Sequence, residues 1–178
     1  MQARGPLMTE HRLIEKMLAV IQGLLELAPQ TQAIAPDRID AVVDFFRVYA
    51  DRLHHGKEED ILFKYLQQKR LSAEDGRLMR ELVEEHVVGR TTVKALAEAN
   101  LRYHKGEQAQ LAELTARLTT VVNLYPRHIG KEDKVFFPAV QGYLSKEEDQ
   151  ALIDQFWDFD RKMIHEKYKA VIESLGGA

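Results

Sequence analysis

Two stretches of the chain repeat each other closely enough to dictate its architecture. Aligned in one register, "RLHHGKEEDILFKYL" (52–66) and "PRHIGKEDKVFFPAV" (126–140) place His54 on His128, Gly56 on Gly130, Lys57 on Lys131, Glu58 on Glu132, Glu59 on Asp133 and Phe63 on Phe137, at a constant offset of 74 residues. A second pair, "EHRLIEKM" from Glu10 and "EHVVGRTT" from Glu85, matches at an offset of 75 and places His11 on His86. Each half of the chain thus carries one isolated His and, some 42 residues later, a His-x-x-x-Glu unit. A chain built this way folds as two similar halves around a shared interior.

The segments carrying these residues repeat apolar positions at three-and-four spacing, with Gly and Pro sparse and clustered, so the chain is read as all-α. Five helices are expected: about Thr9–Leu27, Asp37–Lys69, Ser72–His104, Glu107–Leu144 and a fifth from Ser145, where "SKEE" forms a capping box. Pro126 is expected to kink or split the fourth, because it removes a backbone donor and crowds the preceding turn. The closing "GGA" is read as the end of the fifth. Short connections between long amphipathic helices favour antiparallel neighbours, giving an up-down-up-down four-helix bundle over about residues 8–144. An additional C-terminal helix, about 146–175, completes a single domain of 178 residues.

Helical phase sorts the polar residues. His54 and Glu58 lie one turn apart on the stripe of Val43, Phe46, Ala50, Ile61, Leu62 and Tyr65. His128 and Glu132 share one with Val121, Leu124, Tyr125, Val135, Phe136 and Ala139. His11 falls with Ile14, Leu18, Ile21 and Leu25, and His86 with Met79, Leu82, Val83 and Val93. Four histidines and two glutamates therefore point into one interior. His55 and Glu59 fall about 100° further round, beside Asp51 and Arg52, and are expected at the surface, with Glu59 retained as a group that touches a ligand. Tyr125, one turn before His128, is a candidate hydroxyl near the same centre. His165 lies beside the apolar stripe of the fifth helix and is kept as a candidate for helix five to bring to the site.

Two facing carboxylates in an apolar interior repel each other and lose hydration, so they call for protons or cations. With no Cys in the chain, any metal meets only nitrogen and oxygen, and disulfides, cysteine-ligated iron–sulfur clusters and a thiol nucleophile are excluded. Imidazole plus bridging carboxylate suits iron, and less well manganese; a tetrahedral zinc site has no need of two bridging glutamates. A net charge of -3 with interspersed signs offers no stripe for nucleic acid. No apolar run approaches the length of a membrane span and the N-terminus lacks a signal-peptide pattern, so the expected location is cytoplasmic.

At the residues of this repeat the chain resembles the hemerythrin-like family, the histidine-histidine-glutamate cation-binding domains. The resemblance implies a non-haem di-iron centre inside a four-helix bundle. Glu58 and Glu132 would bridge, His11 and His54 would serve one iron, and His86 and His128 the other. Oxygen-carrying hemerythrins have a further His one turn after the position of His86, where this chain has Arg90. Their second bridge is an Asp five residues after its His, where this chain has Glu132 at four. One iron would then have fewer nitrogen ligands, which points away from simple O2 carriage. The resemblance points instead to a di-iron protein, a candidate peroxide- or nitric-oxide-reactive oxidoreductase, that binds or reacts with O2, peroxide or nitric oxide in stress or iron handling. Arg90 is a candidate donor to a bound anion or to a bridging glutamate. A non-enzymatic iron or oxygen sensor, or an iron-binding protein, signalling through the C-terminal helix, is the alternative. That helix, with Phe156, Trp157, Phe159 and Met163, is expected to cap the bundle or pair with a second copy.

Overall fold

The computed structural model describes residues 2–174, and every regular element among them is helical. Helix α1 spans Arg4–Thr31 and buries Leu7, His11, Ile14, Leu18, Ile21, Leu24 and Ala28 along one face. It begins earlier than periodicity predicts because the N-terminal arm is anchored. Ala3 is buried and its N–H donates to Asp149 Oδ1 of the last helix at 2.9 Å. Gln32, in a left-handed conformation (φ 52°), ends α1.

Helix α2 opens at Pro36, whose ring presets the first helical φ, and is composite. An α-helical start, Pro36–Asp44, passes into a π-helical stretch, Phe45–His55, then after Gly56 and Lys57 into a second, Glu58–Phe63, and ends as Lys64–Leu66. Helix α3 spans Ala73–His104, with Ser72 Oγ accepting from the Asp75 N–H at 3.0 Å as its cap. Helix α4 runs Gln110–Lys131, turns π-helical over Glu132–Phe136 and closes as Phe137–Val140. Pro126 does not split it: Gln110–Lys131 is continuous through the proline, and the irregularity falls at Glu132, where the ladder widens.

Helix α5 spans Lys146–Ser174, and its expected capping box is present. The Glu148 N–H donates to Ser145 Oγ at 3.2 Å and the Ser145 N–H to Glu148 Oε2 at 2.8 Å. The expected "GGA" terminus lies outside the described residues. Among the described residues no helix is long and apolar enough to cross a membrane.

Helices α1 to α4 neighbour one another in a ring, α1 on α2, α2 on α3, α3 on α4 and α4 on α1. Two apolar clusters fill the space inside. One is built around Ile14, Leu18, Phe46, Leu96, Leu118 and Val121, and the other around Leu7, Phe63, Leu66, Leu82, Phe136 and Phe137. The polar residues of the repeat lie between these clusters on all four helices.

Helix α5 closes the second cluster with Leu152, Ile153 and Phe156, while Trp157 on its outer side is 49% exposed. Gly56 marks how tightly it docks, since a Cβ there would stand 2.8 Å from the Phe159 ring tip. Phe156→Ala is therefore expected to cost about 3–5 kcal/mol of unfolding free energy, against about 0.5 kcal/mol for Trp157→Ala. Denaturant titration of both variants measures this, and equal costs would contradict the docking.

Candidate metal centre

The two histidines on the single-His helices meet the two on the His-x-x-x-Glu helices in pairs. His11 Nε2 lies 2.9 Å from His54 Nε2, and His86 Nε2 lies 3.1 Å from His128 Nε2. The opposite ring nitrogens show what these close approaches mean. His11 Nδ1 donates to Asp133 (2.7 Å), His54 Nδ1 to Glu10 (2.9 Å), His86 Nδ1 to Glu59 (2.7 Å) and His128 Nδ1 to Glu85 (3.0 Å). An ionised carboxylate only accepts, so each Nδ1 carries the proton and each neutral ring presents a lone pair at Nε2. Two pairs of lone pairs thus face each other across hydrogen-bonding distance with no proton between them.

Glu58 and Glu132 stand between the pairs, both wholly buried. Glu58 Oε1 is 3.5 Å from His54 Nε2 and Oε2 is 3.4 Å from His86 Nε2. Glu132 Oε2 lies 3.2 Å from His11 Nε2 and 3.3 Å from His128 Nε2. Among the described residues none donates a hydrogen bond to any of the four carboxylate oxygens. An array of acceptors with no donors is a cation site by its chemistry, and two buried groups of ligand atoms emerge: His11, His54, Glu58 and Glu132, and beside it His55, Glu58, His86 and His128. Without cations the array must recruit protons. Burial, reinforced by Glu132 opposite, pushes Glu58 well above the ordinary carboxylate range. Burial alone would lower His11, yet Asp133 and Glu132 outweigh it and lift it to about 9.

The halves match beyond the inner residues. Phe137 stacks on His11 and Phe63 on His86, and these two phenylalanines are counterparts in the repeat. Asp133 and Glu59, also counterparts, orient His11 and His86; Glu10 and Glu85 orient His54 and His128. Periodicity assigned no role to Glu10, Glu85 or Asp133, although the repeat register aligns them and was the signal for them. Glu59, expected at the surface, is half-buried and hydrogen-bonded to His86.

His55 is the clearest correction. Expected on a wet face, it is 2% exposed, with its ring stacked on His86 (centroids 3.8 Å apart, planes at 13°). The π-helical ladder is the reason: the Gly56 N–H reaches back to Asp51 O, one residue further than in an α-helix, so each residue turns through a smaller angle and neighbouring positions share a face. The apolar, buried counterpart Ile129 was the available hint. Arg90 donates to Asp51 and Glu59, each at 2.6 Å, rather than to Glu58 or Glu132, one of the two kinds of partner expected of it. Tyr125 is buried, its ring parallel to His55 at 6.2 Å. His165 is exposed on α5.

One asymmetry separates the halves. Lys57 is fully buried between Glu10 and Asp160 of α5, whereas its counterpart Lys131, 26% exposed, pairs with Glu81 and Glu85. Burial lifts Glu10 to about 7 although Lys57 pulls it down; burial lifts Glu85 too, but His128 and Lys131 outweigh it and hold it at about 2. Lys57→Met should cost about 3 kcal/mol, because it strands a buried carboxylate, and Lys131→Met about 1 kcal/mol or less; thermal unfolding distinguishes them.

A pH experiment tests the inner pair. In chelator-treated protein, Glu58 holds its proton more tightly folded than unfolded. Its contribution to stability is therefore complete below about pH 4.5, the unfolded value, and is lost as pH rises towards the folded one. Glu58→Gln lacks this loss, so the melting temperature of the variant minus that of the parent is expected to increase from pH 4.5 to pH 8. A difference independent of pH would contradict the buried assignment.

Comparison with known proteins agrees with this geometry. The hemerythrin HHE cation binding domain family matches residues 5–140. An uncharacterised protein of Mycobacterium tuberculosis and another of Mycobacterium bovis are each 22% identical to the chain over 171 residues, covering 95% of it and 66% of their own length. The chain thus spans just under two thirds of these curated relatives. No solved structure matches it. The matched residues hold all four helices of the ring and every ligand atom of the two buried groups, and the chain belongs to the hemerythrin family of HHE cation-binding domains.

Proposed function

We propose that the protein is a non-haem di-iron protein whose metals, bridged by Glu58 and Glu132 within an up-down-up-down bundle, react with a small oxidant: O2, peroxide or nitric oxide. The observation that carries this reading is the set of four donor-less carboxylate oxygens between two pairs of imidazole lone pairs. His11 and His54 would hold one iron, and His86 and His128 the other. Iron suits this nitrogen and carboxylate set better than zinc, which favours closed tetrahedral sites, with manganese the nearer competitor. When bound, a ferrous pair supplies the electrons that reduce an oxidant.

The chain's own residues have three tasks in this proposal. The carboxylates behind each Nδ1 fix ring orientation and raise the basicity of Nε2. The surrounding phenylalanines, Phe46, Phe63, Phe136 and Phe137, all buried, exclude bulk water. A pocket of about 280 Å³, lined by residues that include Arg47, Lys94, Tyr125 and His55, offers a small molecule a way in.

A second reading, an iron or oxygen sensor, is favoured by one contact chain. Asp160 on α5 meets Lys57, Lys57 meets Glu10, and Glu10 holds His54. Metal occupancy at His54 would then be felt by α5, and faster amide exchange in α5 on metal removal is the measurement that checks it.

Elemental analysis of protein loaded with ferrous iron under anaerobic conditions should give about two irons per chain, falling below one in His54→Ala/His128→Ala. Mixing the loaded protein with O2, peroxide or nitric oxide should change its visible spectrum as the oxidant is consumed. Two bound irons that respond to none of the three would rule out the oxidant reading and leave the sensor.

A further inference from the structure

We infer that His55 is a metal ligand, a third imidazole for the ion held by His86 and His128; this rests on the di-metal reading and adds a ligand that the repeat does not encode. His55 is buried, and among the described residues its Nε2 has no hydrogen-bond partner. A histidine that merely filled the core would be expected to satisfy that nitrogen or be replaced by an apolar ring. A ring nitrogen of His55 instead converges with Glu58, His86 and His128, one ligand atom from each of the four lying within 4.8 Å of the others.

His55 also follows the pattern of the other four. Its Nδ1 faces a carboxylate, Asp51 Oδ1 at 3.4 Å, as theirs face Asp133, Glu10, Glu59 and Glu85. Arg90 ties the arrangement together: its Nε donates to Asp51 and its Nη2 to Glu59, so one guanidinium holds the carboxylates behind both His55 and His86. Their rings are stacked, and Tyr125 flanks the outer face of the His55 ring. Arg90 is thus a positioning residue for two ligands.

The inference makes the two metals unequal. The sequence assigned two imidazoles to each, with Arg90 standing where a further ligand to the ion at His86 and His128 was looked for. With His55 that ion has three imidazoles, and the ion at His11 and His54 has two. The spare coordination positions then belong to the first half, under Lys57 and α5.

Cobalt(II) alone, titrated into the metal-free full chain and followed by its visible absorption against a competing chelator, tests this. Wild type should bind two equivalents tightly. His55→Phe keeps a ring to stack on His86 but removes the nitrogen. It should retain one tight equivalent and bind the second at least about 100-fold more weakly, beyond the loss typical of an outer partner. His55→Glu, which restores a donor atom, should recover the second equivalent with a shifted spectrum. A stacking role alone predicts that His55→Phe binds both ions with wild-type affinity and spectrum, and that result would overturn the inference while leaving the di-metal reading intact. Wild type binding fewer than two equivalents would overturn both. Should His55→Phe lose its helical circular dichroism, His55→Gln replaces it with the same expectations.

Discussion

Two carboxylates with no donors, set between imidazoles that have committed their protons elsewhere, are the constraint around which the molecule is organised. Glu58 and Glu132 are wholly buried, and their oxygens face Nε2 lone pairs on four rings. In an apolar medium such an arrangement is unfavourable unless positive charge enters it. The outer carboxylates make the demand stronger, since by fixing each Nδ1 proton they prevent the rings from turning a donor inward. The two flanking apolar clusters keep water from relieving it. The fold thus prepares a site whose occupancy and stability are coupled.

The site is nearly two-fold symmetric in its chemistry and asymmetric in its surroundings. Each inner His has a counterpart, as do the phenylalanines stacked on His11 and His86 and the carboxylates behind the rings. Helix α5 breaks the symmetry at the glycines. It buries Lys57 through Asp160 and packs Phe159 against Gly56, whereas among the described residues nothing lies within 4 Å of a Cβ placed on Gly130. His55, with Ile129 as its counterpart, breaks it again on the inside. The two groups of ligand atoms built from one repeat therefore meet unlike environments, which is a physical basis for unlike affinity for a cation.

Most of the helical layout was legible in the chain because it rests on local effects. The N-cap at Ser72, the capping box at Ser145 and the three-and-four spacing each act within one or two turns. Pro126 shows the limit of such reasoning. Its local cost predicted a kink or a split, yet the helix continues unsplit through it and loosens at Glu132. The N-terminal arm shows the same limit in reverse, since Ala3 is held by Asp149, 146 residues away in sequence.

By itself the sequence determined that the interior holds four histidines and two glutamates, because an internal repeat and helical phase are both properties of spacing along one chain. Only the tertiary structure decided which carboxylate backs which ring, that Arg90 serves Asp51 and Glu59, and that His55 turns inward beside His54. The reason is geometric. Phase arguments assume a constant α-helical turn, and α2 and α4 widen into π-helix where the inner glutamates sit, α2 also over the turns that carry His54 and His55, so the direction of a side chain there depends on packing between helices rather than on the count of residues.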